Sequence, residues 1–317
     1  MPRKQPEQKQ TQRSTFKTAA IILLLLFAAA YLFAFFLTDP SMEDAFGNVA
    51  LISIKGVITA DSPSGLFSAP GASSTDIVGL LQKARDDPDV KGVILEINSP
   101  GGSAVASSEI GAAIKDVRKQ NKTVVAWIRE TGASGAYWIA ADSDHIVAHP
   151  LSITGSVGVI SSYIDFAGLM DRYNVTYERL VAGSYKDMGT PYKRLTPQEE
   201  ALFQEKLDKV QDVFLSEVAT QRNLTKTQRA QISSGIFYLG SEAKDLNLVD
   251  ELGGRPEAVV YLEKRLNESV TVKELKVKRS FWDALGQVMD DYSFNMGRGM
   301  ASEFMAHSAN TLSIEAR

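Results

Sequence analysis

The sequence predicts an α/β domain behind one N-terminal transmembrane helix. Two observations carry this. From Asp76 onward, short β-branched runs alternate with helical stripes, and the strands end in glycine-bearing loops. Near the start, the run from Ala19 to Leu37 carries no charge, and at about 1.5 Å per residue it is long enough to cross a hydrocarbon core of about 30 Å. A chain of 317 residues holds enough material for one catalytic domain with appendages. Its formal charge of −4 and hydrophobic content of 44% lack the basic excess that nucleic-acid binding requires. Without cysteine, a thiol nucleophile, a thiolate metal ligand and a redox pair are all excluded.

The tail over residues 1–18 holds Arg3, Lys4, Lys9, Arg13 and Lys17 against Glu7. That bias keeps the N-terminus in the cytoplasm and places everything after Thr38 outside. The apolar run, residues 19–37, ends Phe35–Phe36–Leu37 without an A-x-A-like site, which favours a retained anchor over a cleaved signal peptide. A linker, residues 38–48, leads to the folded domain, expected over residues 49–275.

That domain opens with a strand at Val49–Ile54. Thr59 to Thr75, rich in Ser, Pro and Gly, reads as a loop or linker. Ile77, Leu80, Leu81 and Ala84 mark a helix, Gly92–Ile97 a strand, Ile110, Ile114 and Val117 a helix, and Thr123–Ile128 a strand. After the strand Ile146–Ala148 come a helix through Phe166, Leu169 and Met170 and a strand over Tyr177–Val181. A long helix starts after Thr196, where Thr196 and Glu199 make a capping box and Pro197 takes the first position. Helices at Ser241–Leu246 and Pro256–Leu266 and a strand at Val270–Leu275 complete the domain. In the tail, residues 276–317, Trp282, Leu285, Met289, Tyr292 and Met296 keep an amphipathic helical period. The acids Asp283, Asp290 and Asp291 beside them favour packing on protein over contact with a membrane.

The histidines are His145, His149 and His307. The first two flank a strand, without the helix and intervening glutamate of a zinc pair, and read as structural. Ser134, in Gly132–Ala133–Ser134–Gly135–Ala136, stands at a strand-to-helix turn like a loose nucleophile elbow. Asn98–Ser99–Pro100–Gly101–Gly102–Ser103 ends a strand and opens a helix, so its freed amides can meet developing negative charge; the Gly135 amide can supply a second donor. Lys186 follows a predicted strand in Gly183–Ser184–Tyr185–Lys186–Asp187. As a base it must be neutral, which burial favours, and Ser156 upstream can orient its amine. Taken singly, each of these pieces has an ordinary structural reading: a small-residue turn, a glycine turn, a solvated lysine.

Together they resemble the signal peptide peptidase SppA (protease IV) family, in its short single-repeat form, from about Val49 to Gly254. The matching pieces are Asn98–Ser99–Pro100–Gly101–Gly102, Gly132–Ala133–Ser134–Gly135, Gly155–Ser156–Val157–Gly158, Lys186–Asp187 and Leu248–Val249–Asp250–Glu251–Leu252–Gly253. The resemblance implies a ClpP/crotonase-like fold of repeated β-β-α units. It implies a Ser134/Lys186 dyad, Ser156 on the lysine, and oxyanion donors from Gly101 or Gly102 and from Gly135. It also implies a ring-shaped homo-oligomer, apolar peptide substrates such as remnant signal peptides, and no cofactor or metal. Ala136 departs from the family, which usually has a second glycine there. With the anchor, the expected place is the bacterial inner membrane, with the catalytic domain on its outer side. A Ser/His/Asp peptidase, an acyl-CoA enzyme of the same fold and a non-catalytic scaffold are the alternatives.

Overall fold

The computed structural model describes residues 22–31, 46–61 and 71–277. The chain divides between Phe46 and Gly47. Before the division, residues 22–31 are helical (α1), with exposed apolar side chains. The remainder of the expected span 19–37 lies outside the described residues, as do the tail residues Trp282 to Met296. Among the described residues, no helix is long and apolar enough to cross a membrane.

The second unit is built on a parallel sheet with strand order β10-β1-β4-β5-β6-β9. Its strands are β1 (Val49–Lys55), β4 (Gly92–Ser99), β5 (Thr123–Ala133), β6 (His145–Ala148), β9 (Glu251–Leu252) and β10 (Val272–Glu274). Both faces are covered, so the central strands read as nearly continuous apolar runs. Alternate residues go to opposite sides. Ala50, Ile52, Val93, Leu95, Val124 and Ala126 join a core with the helices α2 (Ser74–Asp86), α3 (Ala104–Lys119), α4 (Gly135–Ala141) and α6 (Pro197–Gln221). Val49, Leu51, Ile94 and Val125 pack with Ala258 and Leu262 of α9 (Arg255–Leu266). Glu96 sits among that second set, nearly buried. Burial opposes its charge, but hydrogen bonds from Ser53, Lys55 and Arg129 outweigh it and keep the carboxyl below its usual range.

At its far end, β5 parts from β6, while its pairing with β4 resumes past an irregularity. Ile97 pairs with Ile128 but Ser99 with Gly132, so one residue of β4 faces three of β5. Such a bulge bends the strand. Beyond it, on the edge that β6 has left, Thr131, Gly132 and Ala133 pair with β7 (Ile153–Gly155), which pairs antiparallel with β8 (Phe237–Leu239). This fork carries the end of β5 to the candidate site.

Most expected elements form, with three differences. The stretch Thr59 to Thr75 carries regular structure where it is described: β2 (Val57–Thr59) pairs parallel with β3 (Gly71–Ser73), and α2 begins at Ser74, capped by Ser73. The strand expected at Tyr177–Val181 does not form. Its apolar residues Tyr177, Leu180 and Val181 are exposed and find no sheet to join, and Arg179 between them turns to Asp187. Four short elements had no clear pattern in the sequence: β7, β8, β9 and α7 (Lys226–Ile232). They number two to seven residues each, too few for a period to emerge. By contrast, α6 carries the expected capping box, and Pro197 takes its first position.

α6 is fastened to α4 by a Trp138–Phe214 stack at 4.5 Å and by the Trp138 indole N–H donating to Glu217 at 2.8 Å. Lys115 of α3 pairs with Glu217 and with buried Asp142 at 3.2 Å. Burial raises the Asp142 carboxyl, against the pull of Lys115. Phe214→Ala is expected to cost about 3–5 kcal/mol in urea unfolding, the usual loss for a buried aromatic. A loss below about 1 kcal/mol would mean that the stack does not anchor α6.

Candidate active site

Ser134 stands between β5 and α4 with φ +54° and ψ −126°. A non-glycine residue there costs on the order of 1–3 kcal/mol and persists only where its surroundings enforce it. Enforcement comes from β7: the Ser134 amide donates to the Gly155 carbonyl at 2.8 Å, extending the ladder one step past the strand. Thr154 adds a bond from its hydroxyl to the Gly132 carbonyl at 2.8 Å. The Ser134 hydroxyl makes no hydrogen bond with any described residue and is half-buried.

The glycine loop after β4 closes over this turn. Gly101 has φ +97°, and a Cβ on it would lie 2.7 Å from the Gly135 nitrogen and 3.0 Å from the Ser134 Cβ. Glycine is required twice over, for its backbone conformation and for the close approach. The loop is held by Ile58, which bonds the Gly101 carbonyl through its amide at 2.9 Å and accepts from the Ser103 amide at 2.8 Å. The Gly101 amide donates to the Ser99 hydroxyl at 3.1 Å. The Gly102 and Gly135 amides have no acceptor among the described residues, and a Cβ on Gly135 would come within 3.3 Å of the Gly102 nitrogen.

Ser156 follows directly on Gly155, also at positive φ, +51°. Its amide donates to the Ile236 carbonyl at 3.1 Å and its hydroxyl to that of Gly235 at 3.3 Å. Thus Ser134, Gly101, Gly102, Gly135 and Ser156 come together. Lys186 bonds none of them: it lies in an exposed turn, its amide bonded to the Gly183 carbonyl at 3.1 Å. Its amine bonds no described residue. His145 stacks on Tyr261 at 3.8 Å and bonds Glu251 at 3.2 Å, while exposed His149 accepts from the Leu151 amide. Neither engages Ser134, and His307 lies outside the described residues.

Ser99, Thr154 and Ser107 were not marked in the sequence. Buried Ser107 lies under α4, where a Cβ on Gly135 would meet its hydroxyl at 2.4 Å, and it donates to the Ser103 carbonyl at 2.9 Å. Ser99 falls within the Asn98–Gly102 motif and Thr154 opens the glycine-bracketed run Thr154–Gly158, whereas Ser107 had no signal.

A hydroxyl that no neighbour holds, beside two unengaged amides, has the makings of an enzyme that attacks acyl groups through serine. Comparison makes it a serine peptidase. Residues 116–269 match the model of peptidase family S49. A candidate protease of Methanocaldococcus jannaschii is 33% identical over 253 residues, covering 78% of this chain and 81% of the relative. A candidate signal peptide peptidase SppA of Enterococcus faecium is 32% identical over 241 residues, 75% of this chain and 70% of that one. Protease 4 of Haemophilus influenzae is 32% identical over 220 residues, 69% of this chain but 35% of its own length. The chain belongs to peptidase family S49, the SppA family of proteases.

Gly101→Ala is expected to lower kcat/KM about 100-fold, the scale of an ångström's misplacement at a reacting centre. Far-UV circular dichroism should stay unchanged. Undiminished peptide hydrolysis in this variant would show that the close approach is not needed.

Proposed function

We propose that this chain is a membrane-anchored serine endopeptidase in which Ser134 is the nucleophile and Lys186 the general base. The observation that carries the reading is the enforced turn at Ser134, with its unbonded hydroxyl beside the free Gly102 and Gly135 amides. Of the two loop glycines, Gly102 is the better oxyanion donor, because the Gly101 amide is already taken by Ser99. Neutral Lys186 takes the proton of Ser134 as the hydroxyl attacks a peptide carbonyl, and the two amides hold the oxyanion. The protonated lysine then serves the leaving amine, and a water activated by the same lysine frees the acyl group. Ser156 orients the amine. His145 and His149 are both engaged elsewhere, which favours lysine over histidine as base.

A lysine base needs desolvation, and Lys186 is exposed in the single chain. Assembly is the natural source of cover. Ile160, Ile164, Leu169, Val175 and Leu180, on the same excursion, are exposed apolar residues that suit subunit packing in a ring-like homo-oligomer. Residues 19–37 would anchor the peptidase domain, residues 49–275, on the outer side of a bacterial inner membrane, with residues 1–18 in the cytoplasm and residues 38–48 as linker. Apolar peptides such as remnant signal peptides would be its substrates. The helical, apolar stretch 22–31 supports the anchor.

Ser134→Ala and Lys186→Ala are each expected to abolish cleavage of signal-peptide-like and casein-like substrates while the fold stays intact. Labelling by a serine-directed fluorophosphonate should vanish in Ser134→Ala. Wild-type turnover in Lys186→Ala would sink the base assignment. In the wild type, the rate should rise with pH through one ionisation, as a base that must be neutral requires. A flat profile from about pH 6 to 10 contradicts a lysine base.

A further inference from the structure

The turn bearing Lys186 is held by charge rather than by apolar packing. The helix before it, α5 (Ala167–Arg172), buries no side chain, and nearly every residue from Ile160 to Lys186 is exposed. Asp187, next to Lys186, accepts both arms of the Arg179 guanidinium, Nε at 2.5 Å and Nη2 at 2.9 Å. The same Nη2 donates to the Ser184 carbonyl at 2.9 Å. Lys193 stands 3.5 Å from Asp187 and 2.6 Å from Glu199 of α6. Glu199 is buried, and its other oxygen takes the amide and hydroxyl of Thr196. Tyr177 and Glu199 are the further groups whose charge bears on Arg179.

The Arg179 hydrogen bonds hold the Asp187 carboxyl down to about 2 against the opposing effect of burial, and the charges of Arg179 and Lys193 add to the pull. Glu199 and Asp187 in turn raise Lys193. Asp187 thus stays ionised and paired above its ordinary range, and the pairing is lost only as pH falls toward 2. At the pH where a lysine titrates, the four charges balance: Arg179 and Lys193 against Asp187 and Glu199. This matters because a bare carboxylate one residue from a lysine favours the ammonium form, the opposite of what a base requires.

We propose that Arg179 masks the Asp187 carboxylate, so that the turn is fixed without the negative charge holding Lys186 protonated. Arg179 and Asp187 are positioning residues that act through Lys186, and the inference rests on Lys186 being the general base. Removing Arg179 leaves a net negative neighbourhood, and removing Asp187 a net positive one. Removing both restores neutrality.

The test is the pH dependence of kcat/KM, measured on the purified full chain with a signal-peptide-like fluorogenic substrate. In Arg179→Gln the activating ionisation should move up by about half a unit, the effect of one charge on a neighbouring residue through wet protein. In Asp187→Asn it should move down by a similar amount, and in the double variant it should return to the wild-type position. Arg179→Lys keeps the charge without the two-armed grip and should leave the ionisation in place. A loss of activity with no shift in either single variant overturns the inference, as does a shift in Arg179→Gln that Arg179→Lys shares and the double variant does not reverse. If Arg179→Gln does not fold, the shift in Asp187→Asn decides alone. Lys186→Ala is measured alongside. Its inactivity with unmoved profiles overturns only the masking, whereas its full activity brings down the dyad and the masking together.

Discussion

The hydrogen bond from the Ser134 amide to the Gly155 carbonyl is the constraint on which the rest of the site depends. It exists because β5 exchanges β6 for β7 along one edge and pairs with β7 for its last three residues. Without β7, nothing would hold Ser134 in a backbone conformation that its own side chain disfavours. The same pairing delivers Ser156, one residue beyond the bonded carbonyl and held by the strand's other neighbour through Ile236. One short ladder therefore sets both serines, and the glycine loop after β4 needs only to close over them.

The sheet was legible because its strands are buried on both faces and its helices carry full apolar stripes. The runs at Val49–Ile54, Gly92–Ile97 and Thr123–Ile128, and the capping box at Thr196, all fall where expected. The serine turn and the glycine loop could be read for a related reason, since glycines at strand ends leave a visible mark. β7 and β8 could not: each is three residues long, and their pairing depends on partners far along the chain. At Tyr177–Val181 the apolar character is real but lies on an exposed surface, and a short apolar run does not by itself tell a strand from an exposed segment. Lys186 was found through its family pattern, and the ion pairs around it had no sequence signature.

Two kinds of cohesion thus meet in this domain. The serine, its amides and Ser156 rest on a dry core, where Ile128, Ala136, Tyr137 and Val157 are all fully buried. The lysine turn rests on ion pairs in wet surroundings, where each surface pair is worth little alone and only a network with a buried end holds a geometry. Glu199 is that buried end. A domain built this way keeps the Ser134 turn rigid while the Lys186 turn remains responsive to solvent, salt and neighbours.

α6 joins these two regions. Near its start Glu199 anchors the ion pairs of the lysine turn, and further along Phe214 and Glu217 grip Trp138 on the helix that follows Ser134. At about 1.5 Å per residue the two grips stand some 22 Å apart along one rod. The rod acts as a ruler whose phase counts as much as its length. A single residue inserted between them would turn one grip by about 100° relative to the other, so that either the cap or the aromatic stack would face the wrong way. Insertions and deletions should therefore be far less tolerated in this stretch of exposed, polar helix than its surface chemistry suggests.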